Sequence, residues 1–133
     1  MRWRIELRKI DKPRNNRLQR ELRWVCDSLG LVSGRDTEST AFKVLSALLE
    51  QCRTHRLVSS DALARKLKME RARINHHLRN LMQAGLLYKE KRKVRLRGGS
   101  LAAALEEIKS DVERSFNELI EVSRKIDREF RLS

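Results

Sequence analysis

Apolar residues recur along this chain with two periods, and each period predicts a different kind of element. At the start Trp3, Ile5 and Leu7 alternate with Arg2, Arg4, Glu6 and Arg8, the two-residue repeat of a strand with one buried face. The expectation is a strand joining a sheet edge, with a basic arm reaching into a nucleic-acid groove as the alternative. The spacing then changes to three and four. Pro13 can open a helix, and Leu18, Leu22, Val25, Cys26 and Leu29 fall on one stripe before Gly30 permits termination. A first helix over about 14–29 follows. After the turn-rich LVSGRD, Asp36 or Thr37 can cap a second helix whose buried face is Ala41, Phe42, Leu45, Leu48, Leu49 and Cys52, ending near Arg53.

The segment from Ser59 to Gly99 is the most informative. Ser59 or Ser60 can cap a short helix that turns Ala62, Leu63 and Leu67 inward, and a brief turn at Lys68 and Met69 leads into another helix from about Glu70 to Gln83. That is the pattern of a helix-turn-helix. In its second helix Ile74, Leu78 and Leu81 form the packing stripe, while Arg71, Arg73, Asn75, His76 and Arg79 lie wholly or partly off it. Two short strands follow, Leu86 to Glu90 and Lys93 to Arg97, with Lys91 and Arg92 at the turn. Val94 and Leu96 alternate with Lys93, Arg95 and Arg97, so the hairpin anchors one face and presents cations on the other, as a wing does.

Gly98 and Gly99 break the strand, and Ser100 can cap a final helix. There Leu105, Ile108, Val112, Leu119, Val122 and Ile126 follow a largely 4-3 spacing, interrupted by Ser115 and broadened by Phe116, Ile120 and Phe130. This stripe is wider than a small domain readily covers, which predicts dimerisation through those six residues. The domain division is a winged helix-turn-helix domain over 1–99, with N-terminal strand and helix, and a dimerisation helix over 100–133. The fold class is mainly α with a small β wing.

Charge sharpens the picture. The formal net charge is +13, from 31 Lys and Arg against 18 Asp and Glu, yet residues 101–133 hold six bases and eight acids. The first hundred residues therefore carry 25 bases against 10 acids, a concentration of positive charge that favours a polyanionic partner. Cys26 and Cys52 have no metal-ligand spacing to each other or to His, and are read as apolar fillers. No stretch approaches the roughly 18 uncharged residues of a membrane span, and MRWRIELRK lacks the apolar core of a signal peptide. The expected location is the cytoplasm, with no membrane partner. Without a phosphate-binding glycine loop or a nucleophile and base arrangement, no enzyme activity, cofactor or small-molecule effector is identified.

In INHHLRNLMQAGLL and the hairpin after it, over about 55–99, the chain resembles the ArsR-like winged helix-turn-helix transcriptional regulators, particularly small archaeal members with a helical C-terminal extension. The resemblance implies that Glu70 starts a recognition helix and that Arg71, Arg73, Asn75, His76 and Arg79 face a DNA groove. Independently, Arg can donate twice to guanine and Asn can pair bidentately with adenine. On the wing, Lys91, Arg92, Lys93, Arg95 and Arg97 are expected at phosphates or the minor groove. Unlike metal-sensing members of that class, this chain offers no clustered ligands beside its cysteines. The functional expectation is a sequence-specific regulator of transcription that binds double-stranded DNA as a homodimer, with repression the simplest output. RNA binding, or a protein-interaction role in transcription or chromosome machinery, are the alternatives.

Overall fold

A computed structural model of the chain describes residues 4–14, 17–31 and 40–132. The described residues form five α-helices and one hairpin: α1 (Leu18–Ser28), α2 (Thr40–Gln51), α3 (Ser60–Leu67), α4 (Arg71–Gln83), β1 (Leu87–Glu90), β2 (Lys93–Leu96) and α5 (Leu101–Glu129). A 3-10 turn, Arg97–Gly99, joins β2 to α5. The class is the expected one, mainly helical with a small β wing and a long C-terminal helix.

The stripes of the first four helices converge in one core, which holds Leu22 and Cys26 of α1, Val44, Leu45 and Leu48 of α2, Leu63 of α3, and Ile74, Leu78 and Leu81 of α4. Leu45, Leu48, Leu63 and Ile74 are wholly inaccessible, each contributing about 1.5–3 kcal/mol by burial. Leu87, Val94 and Leu96 close the core from the hairpin side. The antiparallel register sets Leu87 against Leu96 and Glu90 against Lys93, so Val94 and Leu96 turn inward as the alternation requires.

Two expectations about the N-terminal third are corrected. Residues 4–14 form no strand; their backbone instead docks on helix ends, Arg4 N–H donating to the Gln83 carbonyl and Arg8 N–H to that of Ser28. The place beside β2 is taken by Val58, whose N–H and C=O exchange 2.8 Å hydrogen bonds with Val94. The first helix also starts at Leu18 rather than near Arg14. The preceding segment runs back along α1 and is fixed there by the Trp24 indole N–H, which donates to the Ile10 carbonyl at 2.8 Å. Leu18 consequently sits beyond the core edge, 77% exposed. Gly30 does end the α1 region, with φ +67; a Cβ there would lie 2.7 Å from the Glu6 backbone, so the crossing segment requires glycine. Trp3, Asp36 and Thr37 lie outside the described residues.

Ser100 caps α5 by accepting a hydrogen bond from the Ala103 N–H. Gly98, at φ +72, allows this entry, since a Cβ would meet that of Ala103 at 2.8 Å. Ala104 and Ile108 enter the core, and Leu105 and Val112 pack against it. The core thus continues into the first turns of α5, and Ile108, expected in a dimer seam, is only 7% exposed within its own domain. From residue 113 to 132 every position is exposed. At 29 residues the helix spans about 43 Å, and its second half stands clear of the domain.

Candidate nucleic-acid interface

The turn between α3 and α4 is built by short-range chemistry. The Ser59 hydroxyl accepts from the Ala62 N–H at 3.1 Å, fixing the start of α3. Lys68 takes a left-handed conformation, φ 53, and the Met69 N–H then closes onto the Ala64 carbonyl at 3.1 Å. Glu70 stands at the head of α4 in extended conformation, its carbonyl receiving the Arg73 and Ile74 amides. Because Ile74, Leu78 and Leu81 are buried, the opposite side of α4 is left outward.

On that side Arg71, Asn75 and Arg79 recur every four residues and therefore share one face. With Lys89 and Arg92 of the hairpin they line a cleft of about 380 Å³ between α4 and the wing. Its floor includes Leu78, Met82 and Val94. Four cations and one amide thus converge on a concave surface. Arg71 also meets Asp61 at 3.1 Å, but both side chains are exposed, so this pair holds it weakly. His76 is exposed, its ring edge-on to that of His77 at 5.4 Å between centroids. Arg73 is drawn toward α2, donating to the buried Thr40 hydroxyl at 2.9 Å; it lies beside the shared face rather than on it.

The hairpin separates its cations in the same way. Lys91 and Arg92 form a two-residue turn in which both have positive φ, 52 and 66. This mirror-image turn matches strand twist and is usually made by Asn-Gly; a side chain there costs about 1–2 kcal/mol per residue. Lys91, Arg92 and Lys93 are exposed at the tip. Arg95 lies against its own sheet, its guanidinium 5.0 Å from the Tyr88 ring centroid and 3.5 Å from a Glu90 carboxylate oxygen.

Arg97 falls outside β2 and turns away from the tip. Its Nε is 2.7 Å from Glu107 and a terminal nitrogen 2.7 Å from Asp111, both on α5, and only 17% of the side chain is exposed. The hydrogen bond from Arg97 holds the Asp111 carboxyl below its ordinary pKa, and Arg114, paired with the same carboxylate, adds to the effect. A doubly engaged guanidinium of this kind clasps the wing base to α5. It is no longer one of the cations offered outward.

Of the residues expected to touch DNA, Arg71, Asn75, Arg79 and Arg92 are therefore brought together, Lys91, Lys93 and His76 are exposed nearby, and Arg73, Arg95 and Arg97 have partners within the protein. Lys89 was missed as a site residue although it lines the cleft. Its signal was available, since residue 89 is the first strand's cation opposite Val94 and next to the turn. Among the described residues there is no group of three or more His, Cys, Asp or Glu that could hold a metal, and no helix long and apolar enough to cross a membrane. Cys52 is half-buried, which raises its thiol pKa.

Comparison with known proteins agrees with the geometry. Residues 38–89, from the start of α2 to the first wing strand, match the model of the family described as "Bacterial regulatory protein, arsR family". No curated protein and no solved structure matches the chain. The matched span contains the helix-turn-helix and the cationic face of α4, so this part of the chain is similar to the helix-turn-helix of that family of regulatory proteins.

Proposed function

We propose that this chain is a sequence-specific, cytoplasmic repressor that binds double-stranded DNA as a homodimer. The observation that carries the reading is the cleft between α4 and the wing, where Arg71, Asn75, Arg79, Lys89 and Arg92 converge. The exposed side of α4 enters the major groove, where Asn75 and the arginines meet base edges. Lys91, Arg92 and Lys93 at the wing tip contact phosphates or the adjacent minor groove. Arg73, Arg95 and Arg97 support this surface from behind. The uncovered half of α5, with Leu119, Val122 and Ile126 exposed, joins two copies. A two-fold pair favours a near-palindromic site with half-sites about 34–36 Å apart or a multiple of that. Occupying such a site obstructs initiation of transcription.

The test is selection of bound sequences from a random duplex library, followed by affinity for the winner across a salt series. The expected result is one enriched palindrome and a log-log slope of about −0.9 per phosphate contact. No enrichment, or tighter binding to duplex or single-stranded RNA at matched salt, would overturn the reading.

A further inference from the structure

The N-terminal segment forms no strand, yet its alternation has a structural outcome. Ile5 and Leu7 line an apolar groove of about 430 Å³ together with Leu29, Leu105 and Phe116, and Ile5 packs against the core. Arg4, Glu6 and Arg8 line a different cleft, of about 240 Å³, whose other wall includes Asn80 and Gln83 of α4. An extended chain points successive side chains to opposite sides. The segment therefore adheres through its apolar side and offers charge beside α4 with the other. Its main chain makes the anchoring hydrogen bonds, from the Arg4 and Arg8 amides to the Gln83 and Ser28 carbonyls, which leaves the two guanidinium groups to other work.

Where that cleft meets α4 gives the charge a use. Asn80 lies four residues beyond His76 and Gln83 four beyond Arg79, so each continues a row of the open side, about 6 Å further along the helix. The wing cleft instead meets α4 at Leu78 and Met82, which at about 100° per residue lie at least a quarter turn around from Asn80 and Gln83. The open side of α4 thus has cations on two flanks, Lys89 and Arg92 on one and Arg4 and Arg8 on the other. Arg8 meets Glu6 at 3.4 Å, but both are exposed, so the pair holds it weakly. Residues 1–20 hold eight bases and two acids, and residues 65–97 twelve bases and two acids, together more than the whole net charge of +13. A duplex carries one negative charge per about 1.7 Å of its axis, and one resting on the open side of α4 runs phosphates past both flanks.

We propose that Arg4 and Arg8 form a second contact with the DNA backbone, gripping phosphates on the flank of α4 away from the wing. This rests on the reading of α4 as the helix that meets duplex DNA, and adds a site to it. Wing and N-terminal segment then hold the two backbone edges of the groove that α4 enters. Phosphate contacts fix register and orientation without carrying sequence, so the segment contributes affinity and aim, and α4 alone contributes base preference.

The experiment titrates the full chain with its selected duplex across a salt series and maps the footprint with hydroxyl radicals. Arg4→Gln with Arg8→Gln should weaken binding at least about fivefold on selected and random duplexes alike and reduce the log-log slope by about 1.8, two contacts' worth. Protection should disappear from the backbone at one edge of the footprint, while the selected sequence stays the same. Arg4→Lys with Arg8→Lys should keep the slope. Lys9→Gln with Lys12→Gln removes the same charge outside the cleft and should change the slope by less than one contact. An unchanged slope and footprint in the Arg4 and Arg8 variant, or an equal loss in the Lys9 and Lys12 variant, overturns this contact and leaves the α4 and wing reading standing. No duplex binding by the wild-type chain overturns both. A second arm needs no substitution: ethylating single phosphates at that edge should block wild-type binding, and free binding to those duplexes overturns the contact.

Discussion

Helix α4 buries one side and leaves the other open, whereas α5 is buried over its first turns and open over its second half, and the two open surfaces differ in chemistry. The open side of α4 carries Arg71, Asn75, His76 and Arg79, whereas that of α5 carries Phe116, Leu119, Val122 and Ile126. Charge acts over about a Debye length of 8 Å and tolerates water at the contact, so the first surface suits a wet, polyanionic ligand. Apolar area contributes only when water is excluded. The second surface therefore suits close packing by a complementary chain. On the proposed function, one molecule separates DNA contact from self-pairing along its length.

The most severe way to break this separation is to place charge where α5 belongs to the core. Ile108→Asp should destabilise the domain by about 3 kcal/mol or more by burying a charge without a partner, seen as a lowered melting midpoint together with lost DNA binding. Leu119→Asp, eleven residues further along, should leave the melting midpoint nearly unchanged. It should weaken self-association by at least tenfold in sedimentation. If both variants unfold alike, the two halves of α5 are not distinct.

On the reading side the effects are smaller and more selective. Asn75→Ala or Arg79→Ala should cost about 1–3 kcal/mol on the selected duplex wherever the side chain contacts a base, with much less loss on random DNA. Lys93→Ala should weaken both duplexes evenly and reduce the salt slope by about one contact. Equal loss on cognate and random DNA for Asn75→Ala would assign it to phosphate contact instead.

Smallest of all on DNA, and opposite in kind, is Arg97→Met, which should lower the melting midpoint while leaving the salt slope unchanged. The clasp it removes also has a pH signature. Asp111 has a lowered pKa in the folded state, so its contribution is fully present above the ordinary carboxylate value of about 3.9. It is lost as pH falls through the lower folded-state value. The wild-type melting midpoint should therefore fall more steeply than that of Arg97→Met in this acid window, measured by circular dichroism.

How much of this was legible beforehand depends on how local the cause is. The helix-turn-helix was readable because its cap, its stripe and its turn are encoded within a few residues of one another, as Ser59 with Ala62 and Ile74 with Leu78 show. The hairpin was readable from the alternation of Val94 and Leu96. The N-terminal segment was misread because three alternating apolar residues fit any extended chain lying on a surface. Which surface it meets is decided by the Gln83 and Ser28 carbonyls, far away in sequence. Val58 was overlooked because a single bridging residue has no period at all. Alternation correctly put Arg97 outside the core, yet its carboxylates lie ten and fourteen positions ahead on another helix. Spacing within the hairpin could not foretell that clasp.

The two left-handed residues at the wing tip give variation there a direction. Exchanging Lys91 and Arg92 for Asn and Gly would relax the backbone and make the hairpin sturdier, while blunting its hold on a polyanion. Selection for heat resistance alone would therefore drift toward a neutral corner. Retention of two long cations in so uncomfortable a place is what selection for ligand binding would have to defend.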